Sequence, residues 1–315
     1  MYYFIINPQA RTGLGAQIWR DVLAEIKRRR LVYEAFFTEH RGHAAKLARQ
    51  ICKKSRGDYL IVIGGDGTLQ EILSGLSQPS TVTLGYIPAG SGNDFARSMN
   101  IPKNPMDALR LILDAPSPIS MDVGALTADN RQGAFGISCG MGFDAAICHA
   151  ALSSRIKNLL NRIHLGKLTY AFLALRLLFS FRTFTLQLTL DGRKQTFDQV
   201  YFAAVMNQPY EGGGFLFCPD ARPDDRLLDV IIVQRMSKLK LLLCLPTAFW
   251  GKHTHFKGVR ILRGERILLE SSRTVPLHQD GESAGIGKSL LATLRPEQIS
   301  VITEETPAVR LLPRS

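Results

Sequence analysis

The residues of this chain best suited to chemistry are glycines and carboxylates gathered at turns. Gly64-Gly65-Asp66-Gly67-Thr68 follows the apolar run Tyr59–Ile63, which reads as a buried parallel strand. It precedes Leu69–Leu76, where Leu69, Ile72, Leu73 and Leu76 have helical spacing. The glycines therefore sit on a strand-to-helix turn at the carboxyl edge of a sheet, where open α/β folds take their ligands. Glycine there lets backbone N–H groups approach phosphate oxygens, and the helix N-terminus that follows favours negative charge. Asn7-Pro8-Gln9-Ala10-Arg11-Thr12-Gly13 makes a second such turn after a first strand, able to face the same nucleotide from another side. Pro88-Ala89-Gly90-Ser91-Gly92-Asn93-Asp94 makes a third, with Asn93 or Asp94 able to cap the next helix. Thr38 closes the second strand and offers a hydroxyl to a phosphate or a base. Each turn alone could be a bare βα connection; three at one sheet edge point to a bound phosphate compound.

Two acidic segments lie further along. Pro219–Val230 packs four carboxylates, Asp220, Asp224, Asp225 and Asp229, into ten residues. Hard cations such as Mg²⁺ take oxygen ligands, so this is either a metal loop or a solvated acidic turn before a strand. His278-Gln279-Asp280-Gly281-Glu282 carries the Asp-Gly pair typical of a β-hairpin. Asn207–Gly214 reads as a flexible bend with no assigned role. The histidines (His40, His43, His149, His164, His253, His255 and His278) show no repeated metal spacing beyond His253-Thr254-His255 and read as structural or solvated.

These turns need elements to hold them. Tyr2–Ile6, Val32–Phe37, Tyr59–Ile63 and Val82–Ile87 read as strands. They are separated by helices whose apolar faces are Ile18, Val22, Leu23 and Ile26, then Ala44, Leu47, Ala48, Ile51 and Cys52. Strands joined by single helices imply right-handed crossovers and a mostly parallel sheet. A helix over 104–114 stops at Ala115-Pro116-Ser117-Pro118. Beyond it come short β-rich runs: Ile119–Ala125, Gly133–Cys139, Thr185–Leu190, Gln199–Val205, Leu228–Val233, Arg260–Leu262, Arg266–Glu270 and Leu290–Leu294. Helical segments interrupt them at about 143–182 and 237–249. The expected class is α/β, with an N-terminal domain over 1–118 and a β-rich domain over 119–298. A tail over 299–315 carries one more strand at Ile299–Ile302 that could return to the first domain.

The chain has 315 residues, 45% hydrophobic and 21% charged, enough for two domains with real cores. Met1–Pro8 lacks the basic and apolar regions of a signal peptide and reads as a strand. No apolar run reaches the roughly 18–20 residues of a membrane span. Five scattered cysteines without metal spacing read as reduced thiols in a cytoplasmic protein. The net charge of +12 suggests an anionic partner. With no alternation of basic and stacking aromatic residues, nucleic acid is disfavoured. Basic residues mixed with Leu168, Phe172, Leu175, Leu178 and Phe179, and with Leu241, Leu242, Leu245, Phe249 and Trp250, describe two helices. These either pack in a core or edge an acyl slot and lie on an anionic membrane surface.

Together the Gly-Gly-Asp-Gly-Thr turn, the Asn-Pro turn and the Pro88–Arg97 stretch resemble the diacylglycerol-kinase catalytic-domain family, in particular soluble bacterial lipid kinases related to sphingosine kinases. The resemblance runs from residue 2 to about 302. It implies a Rossmann-like N-terminal domain facing a β-sandwich-like C-terminal domain, with ATP in the cleft. Nucleotide contacts are implied from Asn7, Pro8, Gln9, Ala10 and Arg11, from Thr38, from Gly64, Gly65, Asp66, Gly67, Thr68, Leu69 and Gln70, and from Ser91. Gln70 stands where the family more often has Asn. Glu282 would be general base on a lipid hydroxyl, with Asp280 holding the catalytic Mg²⁺ or orienting that base. A structural Mg²⁺ would take the Asp225 carboxylate and the main-chain carbonyls of Arg222 and Leu227. The family usually has Gly where this chain has Arg226, and a positive φ there costs Arg more than Gly. The implied activity is ATP- and Mg²⁺-dependent phosphorylation of a membrane lipid, diacylglycerol first, with peripheral membrane contact. Self-association as a homodimer stays open. The alternatives are an NAD kinase-like enzyme acting on a soluble substrate and a non-catalytic nucleotide- or lipid-binding regulator.

Overall fold

In the computed structural model of the protein, residues 1–55, 57–114, 117–129, 131–153 and 176–304 are described. The basic and apolar residues read over 154–175, Leu168, Phe172 and Leu175 among them, lie outside these, as do 305–315. The first lobe alternates strand and helix: β1 (Tyr2–Ile6), α1 (Leu14–Arg28), β2 (Tyr33–Phe37), α2 (His43–Lys54), β3 (Asp58–Gly64), α3 (Asp66–Gly75), β4 (Val82–Pro88), α4 (Asp94–Ser98), α5 (Pro105–Asp114) and β5 (Ser117–Met121). Phe4, Ile5 and Ile6 of β1 and Leu60, Ile61, Val62 and Ile63 of β3 are all buried, because helices cover both faces of a parallel sheet. Ile18, Trp19, Val22 and Ile26 of α1 and Ala44, Leu47, Ala48 and Ile51 of α2 are the stripes that cover it.

The second lobe holds β6 (Gly124–Ala128), β7 (Arg131–Phe135), β8 (Ser138–Gly142), α6 (Phe143–Ser153), β9 (Phe184–Leu190), β10 (Arg193–Met206), β11 (Tyr210–Glu211), β12 (Phe215–Leu216), β13 (Leu228–Gln234), α7 (Lys238–Thr247), β14 (Val259–Gly264), β15 (Ile267–Gln279) and β16 (Glu282–Leu294). The chain then returns to the first lobe as β17 (Ile299–Thr303). The first sheet has the order β2-β1-β3-β4-β17-β5, with β17 parallel to β4 and antiparallel to β5. The second runs β14-β13-β10-β8-β15-β16-β6-β7. Its long strands β10 and β15 each pair with β9 at one end and β8 at the other, so the sheet folds around one core. Period-2 alternation divides β13 between two layers. Leu228, Val230 and Ile232 enter that core, while Ile231 and Val233 pack beneath α7.

Three boundaries differ from the sequence reading. The run 119–125 is two strands in two different sheets, broken at Asp122, so the lobes meet there rather than at 118. The run 133–139 is also split, between β7 and β8, because the backbone at 136–138 is drawn onto the Asp280 carboxylate. The short runs at 266–270 and 290–294 are ends of two strands of 13 residues each, which carry the Asp280-Gly281 turn at their tip.

Candidate active site

Four loops leave the carboxyl ends of β1, β2, β3 and β4 and meet at one edge. Asn7 Nδ2 donates to Thr68 Oγ1 (3.0 Å), tying the first turn to the third strand's. Thr38 N donates to Ile6 O (2.8 Å), holding the β2 end alongside. The turns after β3 and β4 touch backbone to backbone: a Cβ on Gly90 would lie 2.7 Å from the Gly65 Cα. Neither glycine has a positive φ, so the requirement is close approach rather than a special conformation. Asn93, in the left-handed region at φ 52°, closes its own turn through Gly90 N (2.9 Å) and Gly90 O (3.0 Å). Asp66 accepts from Asp94 N (3.2 Å) and Phe95 N (3.3 Å) at the start of α4. Gln9, Arg11 and Ser91 are exposed around this edge. Ala10 and Leu69 are buried in the core and Gly64 is capped by the Thr68 side chain, so these three offer main-chain atoms at most.

The second lobe closes over these turns from the other side. Asp280 (φ 47°) and Gly281 (φ 74°) form a two-residue turn with both central residues left-handed, as a type I′ hairpin requires. Glu282 follows, and a Cβ on Gly67 would lie 3.1 Å from Glu282 Oε1. The first turn of α3 and the tip of the β15–β16 hairpin thus share one crevice. Arg41, ahead of α2, spans it with Nη2 3.3 Å from Glu282 Oε2. Asp280 departs from one of its implied roles. Its carboxylate accepts the N–H groups of Gly136 (2.9 Å), Ile137 (2.8 Å) and Ser138 (2.9 Å), so it is spent on the β7–β8 turn and orients the hairpin instead of facing a metal. Gln70 Nε2 donates to Ser74 Oγ (3.0 Å) along α3.

The expected structural metal loop is also filled differently. Arg226 takes the left-handed conformation (φ 63°), and its N–H and guanidinium both bond the buried Asp122 carboxylate. Asp225 has Arg263 Nη1 at 3.6 Å, and Arg263 clasps Asp229 through two N–O contacts of 3.0 Å. The one carboxylate that a cation held with the Arg222 and Leu227 carbonyls would use, Asp225, has the Arg263 guanidinium beside it and accepts from Leu227 N at 3.1 Å. The residues present do not fit a resident divalent ion.

Comparison with known proteins matches the chain in two parts. Residues 1–126 match the diacylglycerol kinase catalytic domain, and residues 139–303 match the YegS C-terminal NAD kinase beta sandwich-like domain. A Bacillus subtilis protein named "Putative lipid kinase YtlR" is 34% identical, over 93% of this chain and 96% of its own. The chain belongs to the diacylglycerol-kinase catalytic-domain family. It is an ATP-dependent kinase. The diacylglycerol kinase of Mycobacterium tuberculosis is 30% identical to it, over 89% of this chain and 88% of that one. The crystal structure of a "putative diacylglycerol kinase" from Bacillus anthracis shares the kinase's fold with a TM-score of 0.77. It covers 96% of this chain and 97% of that one at 24% identity.

Several groups at the kinase's crevice carry no signal that a linear reading weighs. Asp94 is buried, with Arg97 Nη1 at 3.0 Å and Gly213 N donating at 2.7 Å. Gly212, Gly213 and Gly214 all have positive φ, and a Cβ on Gly214 would strike Arg97 at 2.4 Å. The segment read as a bend without a role is therefore the second lobe's contact with the third glycine turn; its run of three glycines was the available clue. His278 is fully buried, with Nε2 2.9 Å from Asp144 Oδ2 and Nδ1 3.2 Å from Glu211 Oε1, neither N–H lying in line. Burial alone would lower the His278 pKa, but the charges of Glu211 and Asp144 more than offset this and raise it to about 9. Burial raises Glu211 to about 7 against the pull of His278. Burial and the neighbouring Asp94 raise Asp66 to about 7, opposed by the two amides. Burial likewise raises Asp280 to about 6 despite its three amides. His149 Nε2, on α6, lies 2.7 Å from Ser283 Oγ and 2.9 Å from Leu277 O, bracing the hairpin beside Glu282.

Proposed function

We propose that the kinase transfers the γ-phosphoryl group of ATP to a hydroxyl of a membrane lipid, diacylglycerol first, giving phosphatidic acid. The observation that carries this is the approach of Glu282, from the second lobe, to Gly67 at the N-terminus of α3. Glycine-edged amides of the first lobe are suited to the triphosphate, and a carboxylate across from them is suited to an alcohol. In the reaction the acceptor oxygen bonds the γ-phosphorus while its proton passes to the Glu282 carboxylate. The bond from that phosphorus to the β–γ bridging oxygen breaks and ADP departs. Mg²⁺ arriving with ATP would neutralise phosphate charge. Arg41, with Nη2 3.3 Å from Glu282 Oε2, would hold that carboxylate in place until substrate enters.

The apolar acceptor implies a bilayer contact. Among the described residues, no helix is long and apolar enough to cross a membrane. On α7, Leu241 and Cys244 are buried against the second lobe, while Leu239 and Leu243 are exposed, with Trp250 just beyond. Lys238, Lys240 and Lys252 lie among them, and this mix of apolar and cationic groups is complementary to an anionic lipid surface. The five cysteines are free thiols, which supports catalysis at the cytoplasmic face.

The test is incubation of the purified protein with labelled ATP, MgCl₂ and a total lipid extract, followed by mass identification of the labelled product, with NAD as acceptor in a parallel arm. A labelled lipid is the expected result. Glu282→Gln is expected to lower kcat by at least about 100-fold while ATP binding persists. Labelled NADP alone would overturn the choice of acceptor, and a fully active Glu282→Gln enzyme would overturn the assignment of the base.

A further inference from the structure

The chain crosses between the lobes twice, at Asp122-Val123 between β5 and β6, and at 295–298 between β16 and β17. The crossings are bonded to each other, Arg295 N donating to Val123 O at 2.8 Å. Asp122, with no exposed surface, is the node of this junction. Its Oδ1 accepts from Gln298 Nε2 (2.9 Å) on the second crossing and from Arg226 Nη1 (2.9 Å). Its Oδ2 accepts from Arg226 N (2.8 Å), and its own N–H donates to Pro223 O (2.6 Å). Arg226 Nη2 goes on to Arg295 O (3.0 Å). One guanidinium therefore bonds the acidic loop to both crossings. Beyond the junction, Arg295 Nη1 reaches Leu73 O (3.0 Å) and Leu76 O (2.9 Å) at the end of α3, the helix that starts in the crevice.

Arg226 occupies this place at a conformational cost, since its φ of 63° is one that glycine adopts freely and other L-residues do not. The bonds of its side chain to Asp122 and to Arg295 O offset that cost. A divalent ion would hold such a loop by drawing carboxylate and carbonyl oxygens around a positive charge. The Arg226 guanidinium supplies that charge from within the chain, and its planar fork meets a carboxylate and a carbonyl at once. We infer that Arg226 is a built-in cation that fixes the junction of the two lobes and makes the acidic loop of this chain independent of a bound divalent metal.

The readout is stability, so it separates from any result on lipid phosphorylation. The full chain, purified without nucleotide, is melted in EDTA and in millimolar MgCl₂ or CaCl₂, and its bound metal is measured by mass spectrometry. Wild type is expected to carry no stoichiometric divalent metal and to shift by less than about 1 °C between conditions. Arg226→Gly is expected to melt about 3 °C or more lower in EDTA and to regain part of this as Mg²⁺ or Ca²⁺ is added, because a ligand that binds only the folded state stabilises it. Arg226→Lys, which keeps the charge without the fork, is expected to melt slightly below wild type and to ignore EDTA, and it serves if the glycine variant is too unstable to purify. A wild type that loses stability in EDTA and recovers it with Mg²⁺ would overturn the inference. So would an Arg226→Gly protein as stable as wild type, or one that neither cation restores.

Discussion

At Gly90, contact distance sets the requirement. A methyl carbon 2.7 Å from the Gly65 Cα is well inside any carbon–carbon contact, and that neighbour is backbone, so two turns must part to admit it, with the Asn93 Oδ1 at 2.8 Å displaced as well. Gly90→Ala is therefore expected to raise the KM for ATP and to lower kcat/KM at least about tenfold, a loss of about 1.4 kcal/mol. Steady-state kinetics with ATP varied checks this, and an unchanged KM would remove these turns from the nucleotide site. Asp280 teaches the opposite lesson about a residue picked out by its motif. An Asp-Gly pair does specify a tight hairpin turn, but the carboxylate serves three main-chain amides from a turn that no local pattern associates with it. Arg226 is a third case: the unusual residue type was visible in the sequence, and its buried partner Asp122 was not.

At the scale of elements, periodicity located most strands and helices, because alternation and the 3.6-residue repeat are local properties. It failed where tertiary contacts divide a run, as at Asp122, or extend one, as in β15 and β16. It also located α7 without settling which face turns inward. The structure buries Leu241 and leaves Leu239 and Leu243 at 68% and 63% exposure. Exposed substitutions on such a face should change stability by no more than about 0.5 kcal/mol. The double variant Leu239→Glu, Leu243→Glu is expected to fold normally and to lose at least about tenfold in association with vesicles containing phosphatidylglycerol, since it removes apolar area and adds negative charge. Flotation of both proteins with such vesicles measures this; equal recovery would take α7 away from the membrane.

Over the whole molecule, the crevice gathers ionisable groups whose pKa values are raised in the folded state: Asp66 and Glu211 to about 7, Asp280 to about 6, and His278 to about 9. Folding therefore favours their protonated forms. The stability they contribute is complete below their unfolded values, about 4 for carboxyls and about 6.5 for His, and is lost as pH rises through the folded values. Glu25, lowered to about 2 by Arg28 and Arg29, acts in the reverse sense, but only below about 4.5. The nucleotide-free protein is thus expected to lose thermal stability steadily from about pH 5 to pH 9. Glu211→Gln should flatten that profile, because it removes one raised carboxyl and one of the charges that raise His278. Melting curves across this range decide it, and a wild-type midpoint that climbs from pH 5 to 8 would contradict the assignment. The sequence alone determined the alternating strand–turn–helix plan, the glycine turns at one sheet edge and the hairpin that bears Glu282, because turn chemistry and side-chain periodicity are encoded within a few neighbouring residues. Only the tertiary structure decided that Gly67 meets Glu282, that His278 lies between Asp144 and Glu211, and that Arg226 pairs with the buried Asp122. Those pairings depend on how distant segments return to one another, and a buried charge acquires its partner only when the lobes close around it.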